Sequence, residues 1–168
     1  MPETPQQYTQ RMLGNVAGQE PIKIQAATPK KLEKLVGKLS AARLRKRPAP
    51  DKWSVGEILA HLADGEIVIG WRVRSILGAP GTAIQAFDQE SWVIAGHYDK
   101  RNPTESLAQF SAVRHANIAL YKSLTSEQWK LYGMHSERGE ESVEHIVRMM
   151  AGHDLNHLKQ IEAIVGKK

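Results

Sequence analysis

The sequence predicts an all-α protein: a four-helix bundle with a long connection between two of its helices and a short accessory helix at the N-terminus. Apolar residues recur at helical spacing in four long segments. Glycine and proline are concentrated at the ends of those segments, and no segment shows the alternation that is typical of a half-buried strand. With 168 residues, the chain has the length of a single domain, residues 1–168, with a substantial core.

The N-terminal part predicts the accessory helix and the first long helix. Residues 5–17 form a short amphipathic segment. Thr28 and Pro29 predict the start of the first long helix, because a hydroxyl cap followed by proline favours a helix N-terminus. The Arg-Pro-Ala-Pro sequence at 47–50 ends it. Its apolar stripe consists of Leu32, Leu35, Val36 and Leu39.

The second long helix is predicted from a capping box, formed by Ser54 and Glu57, to about Leu77. Residues 82–102 then form a long irregular connection, with one short helical turn near 89–95. The inner face of the helix is predicted to hold Val55, Ile58, Leu62, Ile69, Val73 and Ile76. Two aromatic residues of the connection are predicted either to line a pocket or to join the core, namely Trp92 and Tyr98.

The third and fourth long helices follow in the C-terminal half. Thr104 is the expected cap of the third helix, and the segment from Gly133 to Gly139 is expected to be a polar connection. Ser142 caps the fourth helix, which runs to about Val165. The stripe of the third helix is Leu107, Phe110, Val113, Asn117 and Leu120. The stripe of the fourth is Val143, Ile146, Val147, Met150, Ile161 and Ile164.

Composition excludes several classes of protein. The chain has no cysteine, which excludes a disulfide scaffold, a cysteine zinc site and a thiolate nucleophile, and which is compatible with the cytoplasm, where we expect the protein. No apolar stretch is long enough to span a bilayer, so no membrane partner is expected. The net charge of +5 is concentrated in residues 30–52. No aromatic residue interleaves this basic segment to stack on bases, so we expect a solvated helix face rather than a nucleic-acid site.

Two histidines of the fourth helix carry the strongest functional signal. His153 and His157 lie one turn apart and continue the apolar stripe, so both rings are predicted to face the core. A buried polar group needs a partner, and one metal ion would satisfy both rings. His61, on the inner side of the second helix, can supply a third nitrogen. The alternative interpretation is a pair of hydrogen-bonded core or rim histidines.

Three neutral imidazoles with an open fourth position are the arrangement of a catalytic metal site. Water bound there would become acidic enough to attack an electrophile, and Zn, Ni, Fe and Cu all suit such ligands. The segment is not a zincin motif, because Asp154 stands where that motif has its glutamate. The other histidines lack a suitable partner and are expected at the surface or in loops: His97, His115, His135 and His145.

Three further residues are catalytic candidates with structural alternatives. Glu57 lies one turn before His61 and can act as a general base, but its place in the capping box is a sufficient structural reason for it. Arg114 and Asn117 share a face of the third helix. They can bind an acidic substrate group and orient a ligand, or they can form a buried ion pair and a helix–helix hydrogen bond.

These residues resemble the DinB-like superfamily. The chain resembles the first signature of this family at Trp53-Ser54, Glu57, the His-Leu-Ala-Asp sequence at 61–64 and Arg72. It resembles the closing signature at residues 153–161. The resemblance extends from Thr28 to Val165. It implies a four-helix bundle that is often a homodimer, a metal (nickel, zinc or iron) held by His61, His153 and His157, and, in some relatives, transferase or isomerase activity with a low-molecular-weight thiol.

Two functional hypotheses follow. The first is a metal-dependent enzyme that acts on a small molecule, either as a hydrolase or as a transferase of a low-molecular-weight thiol. The second is a non-catalytic metal-binding or stress-response interaction module, whose basic segment contacts an acidic partner. Loss of the histidines should disrupt only the first, and charge reversal at Lys34, Lys38 and Arg45 only the second.

Overall fold

Four long helices enclose the core of the computed structural model, which describes residues 3–166. The helices are α1 (Pro5–Asn15), α2 (Pro21–Val36), α3 (Ala41–Arg45), α4 (Val55–Gly78), α5 (Gln89–Ala95), α6 (Pro103–Ser123), α7 (Ser126–Lys130) and α8 (Val143–Val165). Both α4 and α2 pack against α6 and α8, so the four long helices close a ring. The predicted four-helix bundle is confirmed, together with the accessory helix α1 and the long connection that contains α5.

A small sheet corrects the expectation that the chain has no strand. Its strands are β1 (Ala83–Ile84), β2 (Tyr132–His135) and β3 (Gly139–Ser142), with β1 parallel and β3 antiparallel to β2. The segment expected to be a polar connection is therefore a β-hairpin, and Gly139 occupies a positive φ of 79° at its turn. Strands of two to four residues are too short to show a pattern of alternation.

The first long helix begins at Pro21, not at Thr28 as predicted. Pro29 lies inside the helix, where it has no N–H to donate to the carbonyl of Gln25. Arg114 of α6 donates to that carbonyl instead, at 3.1 Å, so a contact from another helix compensates for the missing bond. The Thr-Pro pair therefore does not mark the start of this helix.

The first long helix also ends earlier than predicted, at Val36 rather than at the Arg-Pro-Ala-Pro sequence, because α3 is a separate helix. The other predicted helix boundaries agree more closely with the structure. The capping box of Ser54 and Glu57 begins α4, and Ser142 caps α8, as predicted. The cap of α6 is Asn102 rather than Thr104, since the Asn102 side chain accepts a hydrogen bond from the Thr104 N–H. The short helices α3 and α7 were not predicted.

A buried polar layer divides the apolar core into two parts. In α4, α6 and α8, buried charged, amide and imidazole side chains lie between two apolar clusters. The polar side chains are His61, Glu66, Arg114, Asn117, His153, Asp154 and His157. Burying so many polar groups at one level requires that they satisfy one another or a ligand.

Gly152 allows the accessory helix to approach this layer. A Cβ atom at Gly152 would lie 1.8 Å from the carbonyl oxygen of Met12, so no other residue fits without a backbone shift. The close contact of α1 with α8 places the N-terminal segment beside His153. The accessory helix therefore covers one side of the histidine pair.

The surface of residues 3–166 shows two features that were considered in the sequence. The basic segment is exposed at most of its charged positions, although Arg47 also pairs with Glu57. No helix in this part of the chain combines the length and the apolar character that crossing a bilayer requires.

Candidate metal centre

Three histidine rings from two helices converge at one point in the polar layer. The Nε2 atom of His153 lies 3.0 Å from Nε2 of His61 and 3.1 Å from Nε2 of His157. The candidate ligand nitrogens of all three rings lie within 4.8 Å of one another. The residues are 2–7% exposed, so the cluster is shielded from bulk water. The convergence that the helical spacing predicted is present in the structure.

The environment of the rings leaves their nitrogens poorly satisfied. The Nδ1 atoms of His61 and His153 have no hydrogen-bond partner among the described residues. Nδ1 of His157 lies 2.8 Å from Oε1 of Gln160, which favours the tautomer that donates from Nδ1. The Nε2 lone pair of His157 then faces the other two rings, as a ligating nitrogen would.

The residues fit a divalent transition metal. Tetrahedral coordination with bonds of about 2.05 Å places neighbouring ligand nitrogens about 3.3 Å apart. The observed separations of 3.0 and 3.1 Å are within a few tenths of an ångström of that value. Three imidazoles without a thiolate are a donor set that suits zinc, nickel and iron.

Burial keeps the three rings neutral, which metal binding requires. Burial, together with a smaller contribution from the neighbouring His157, lowers the pKa of His61 to about 3. Burial is also the main cause that lowers the pKa of His153, to well below its usual value. The pKa of His157 is lowered by burial as well, although the contact with Gln160 opposes this shift.

We expect the metal affinity to change little between about pH 7.5 and about pH 6. Protons compete with a metal only near or below the pKa of the free ligand, and these pKa values are lowered. Three histidines with ordinary pKa values would weaken binding roughly 50-fold over the same interval. Competition with a chromophoric chelator of known pH dependence measures the difference. A loss of metal affinity of roughly 50-fold would contradict the prediction that the three rings are neutral over this pH range.

A cavity of about 280 Å³ opens beside the rings of His61 and His153. This volume suits a small molecule. Three peripheral elements complete its wall, because α1, the long connection and the hairpin all reach the same face of α4 and α8. The wall includes Tyr8, Gly65, Val68, Ile69, Arg72, Phe87, Arg138, Met149 and Met150.

Aromatic rings surround His61 on the side of the cavity. Trp53 lies 5.2 Å from it between ring centroids, and Phe87 stacks nearly parallel to it at 6.3 Å. Trp92 packs edge-on against Phe87 and lines an adjoining cleft rather than the cavity beside the histidines. Tyr98 is fully buried and donates to Asp64 at 2.8 Å, so it belongs to the core.

Glu57 occupies the structural position that its capping box indicated. Its carboxylate accepts from the Ser54 N–H at 2.7 Å and forms an ion pair with Arg47. Of the residues that the structure describes, those that line the cavity beside the histidines do not include Glu57. The geometry therefore accounts for Glu57 without a part in catalysis.

Arg114 and Asn117 form the buried network that was their structural alternative. Arg114 donates to Asp154 at 2.5 and 3.0 Å and to Glu66 at 2.7 Å, and Asn117 donates to Glu66 at 2.8 Å. Burial alone would lower the pKa of Arg114, but the two carboxylates raise it. Within residues 3–166, neither side chain lines the histidine cavity. Arg114 therefore holds the polar layer together.

Some residues of the site were missed, and one histidine was misplaced. His135 is 3% exposed in β2, not at the surface, because the unpredicted sheet covers it. Gly65 and Arg72 follow His61 by about one and three helical turns, so the helical period alone placed them on its face. Tyr8, Phe87 and Arg138 reach the cavity through tertiary packing, for which the sequence carries no local signal.

Comparison with known proteins gives a family and several relatives. The sequence profile of the DinB superfamily matches residues 26–161. The protein named "Putative metal-dependent hydrolase OB0413" of Oceanobacillus iheyensis is 29% identical over 133 residues, which cover 79% of this chain and 76% of that protein. The protein named "Putative metal-dependent hydrolase YfiT" of Bacillus subtilis is 24% identical over 141 residues, covering 83% and 79%.

A solved structure shares the fold. The structure of YfiT from Bacillus subtilis, described as a probable metal-dependent hydrolase with an unusual four-helix bundle topology, superposes with a TM-score of 0.79 at 22% sequence identity. The match covers 88% of this chain and 87% of that one. At this level of identity, the likeness establishes the architecture alone.

Proposed function

The chain belongs to the DinB superfamily, and from that premise we propose that it is a metal-dependent hydrolase of a small molecule. In this proposal His61, His153 and His157 hold one divalent ion of zinc, nickel or iron. One observation carries it: three buried imidazoles meet, and two of them, those of His61 and His153, line a small-molecule cavity. A bound ion of this kind supplies a Lewis acid that polarises a substrate oxygen and makes water more acidic.

The side chains around the site have defined tasks. Gln160 holds His157 in the tautomer whose Nε2 lone pair faces the centre. Phe87, Val68 and Met150 give the cavity an apolar wall, which excludes water and strengthens electrostatic interactions inside. Hydrolysis then depends on a substrate that fits this wall.

The proposal is tested by reconstitution. Tag-free protein is stripped with a chelator, loaded with zinc, nickel or iron in turn, and assayed against a panel of small aryl esters, amides and phosphate esters. We expect one metal ion per chain and hydrolysis of at least one class only in a loaded sample. Equal rates in stripped and loaded protein across the panel would refute the hydrolase assignment.

We expect Gly65→Leu to block the cavity without unfolding the protein. A Cβ atom at Gly65 meets no atom within 4 Å, so the added side chain extends into the cavity that Gly65 lines. The variant should lose at least about tenfold in kcat/KM while binding the metal normally. Gly14→Leu is the matched control, because Gly14 is also helical with open space around it but lies outside the cavity wall. Equal activity of the two variants would contradict this placement of the substrate.

A second candidate function is transfer of a low-molecular-weight thiol. An adjoining cleft of about 450 Å³ shares Val68, Arg72 and Phe87 with the cavity, so there is room for a second molecule beside the first. Because the chain has no cysteine, the thiol must come from outside. Metal-dependent consumption of an electrophile only when a thiol is added would favour transfer, whereas equal consumption without it would favour hydrolysis.

The homodimer and the cytoplasmic location remain predictions. The outer face of α4 exposes Trp71 to 71% and Ile67 to 46%, which is unusual for large apolar side chains. Light scattering coupled to size exclusion measures the molar mass in solution and decides between one chain and two.

A further inference from the structure

Within residues 3–166, Arg72 is a buried cation without a carboxylate partner. It is 7% exposed and lines the same cavity as His61 and His153. Its guanidinium donates to the carbonyl oxygen of Gln85 at 2.5 Å. No carboxylate of the described residues lies within ion-pair distance of it. Most of the donor capacity of this side chain therefore remains available.

Three other buried or half-buried arginines show how unusual this is. Arg114 pairs with two buried carboxylates, Arg138 with Glu141, and Arg101 with Asp64. A buried charge without a partner is strongly unfavourable, so proteins normally supply one. At Arg72 the chain does not, and burial lowers the pKa of this guanidinium.

The charges around Arg72 leave this end of the cavity positive. Arg138 lowers the pKa of Arg72 further and Glu141 opposes it, but Glu141 is already bound by Arg138 through two hydrogen bonds. The carboxylates that line the cavity, as far as the structure describes the chain, belong to Glu3 and Glu137. Glu3 is exposed and bound to Arg11, and Glu137 is exposed. An anion from solution would therefore meet a positive, partly desolvated surface.

The positions on α4 define the shape of the molecule that could use this charge. Arg72 follows His61 by eleven residues, which places it on the same face about 16 Å further along the axis. Both residues line the same cavity, and the Arg72 guanidinium lies at the Gln85 carbonyl. Apolar residues lie between the two ends, including Val68, Ile69 and Met149.

We propose that Arg72 binds an anionic group of the substrate, so that the substrate is a small elongated oxyanion whose reacting bond lies at the histidines. A carboxylate and a phosphate both offer the paired oxygens that a guanidinium binds in a bidentate manner. The assignment of the reacting bond rests on the proposed hydrolase function. The assignment of the anion to Arg72 does not, since it can be tested without turnover.

Binding to metal-free protein tests the anion site directly. Glutarate and inorganic phosphate are titrated into stripped protein at about pH 8, where the histidines are neutral, and amide NMR shifts report binding. We expect one of the two anions to bind, with affinity lowered roughly 10- to 100-fold in Arg72→Met. Arg72→Gln keeps a donor for the Gln85 carbonyl and guards against misfolding of the methionine variant. Arg148→Met removes an exposed charge and should bind like the wild type.

The outcomes separate the sources of the anion. Stronger binding of glutarate identifies the substrate as a carboxylic acid, and stronger binding of phosphate identifies it as a phosphate ester. Either result supports the proposal if the Arg72 variants bind that anion more weakly than the wild type. Binding of neither anion, or equal binding by wild type and a folded Arg72→Gln variant, overturns it.

A pair of esters separates this proposal from the hydrolase function. The 4-nitrophenyl monoester of glutaric acid and 4-nitrophenyl pentanoate differ mainly in the terminal carboxylate. We expect loaded wild type to prefer the acidic ester at least about tenfold in kcat/KM, and Arg72→Gln to lose that preference, measured as the ratio of the two kcat/KM values within each protein. If both proteins cleave both esters equally, the role of Arg72 fails and the hydrolase stands. If neither ester is cleaved, the hydrolase fails for esters and the titration alone decides the role of Arg72.

Discussion

Replacing His153 with alanine is expected to abolish stoichiometric metal binding. His153 is the central ring, because its Nε2 atom lies within 3.1 Å of Nε2 of both other histidines. Loss of a residue that only orients a ligand commonly lowers metal affinity 10- to 100-fold, so loss of a ligand should exceed about 100-fold. Elemental analysis of tag-free protein and chelator competition measure the content and the affinity.

His115→Ala is the matched control for this substitution. His115 is exposed on α6, so the variant changes the histidine content without touching the cluster. We also expect the metal-free His153→Ala protein to unfold at a temperature close to that of metal-free wild type, because the change removes a buried Nδ1 atom that lacks a partner. If a folded His153→Ala variant still binds one metal ion with wild-type affinity, the metal site lies elsewhere in the protein.

The helices of the site were predictable because their signals are local. Caps at Ser54 and Ser142 and the helical period of apolar residues determine where α4 and α8 run and which face is buried. Once both faces were assigned, His61, His153 and His157 had to point into the bundle. That they meet within hydrogen-bonding distance depends on helix packing, but two inward faces in a small bundle leave little alternative.

The rest of the site was not predictable from local pattern. The hairpin that carries Arg138 consists of strands of four residues, and the Gln25 carbonyl that Pro29 leaves unpaired in α2 accepts a hydrogen bond from Arg114 across the bundle. The ring of Phe87 reaches His61 from a connection without regular periodicity. Such features arise when separate segments pack, and a single segment does not encode them.

The role of Arg114 was also not predictable from the sequence. The sequence left it open whether this residue binds substrate or an internal carboxylate, since both uses require the same inward orientation. The decision came from Glu66 and Asp154, which lie on two other helices. A long-range ion pair of this kind has no signature within one helix.

Replacing Arg114 with methionine is expected to destabilise the protein severely. Arg114, Glu66 and Asp154 are each at most 2% exposed, so the substitution leaves two carboxylates in the interior without a cation. Removing one partner of a buried ion pair typically lowers the free energy of unfolding by about 3–5 kcal/mol. The freed Gln25 carbonyl beside Pro29 adds to the loss. Urea unfolding followed by circular dichroism measures the change, with Arg148→Met as the exposed control, expected within about 0.5 kcal/mol of wild type.

A triple variant identifies the cause of that instability. Combining Arg114→Met with Glu66→Gln and Asp154→Asn removes all three charges together, so no carboxylate remains unpaired. If uncompensated charge is the cause, the triple variant should recover more than half of the lost stability, because replacing a whole buried ion cluster is often nearly neutral. If it is as unstable as the single variant, the hydrogen bonds to Gln25, Thr28 and Asn117 carry the stability instead, and the charge of Arg114 is not what holds the layer together.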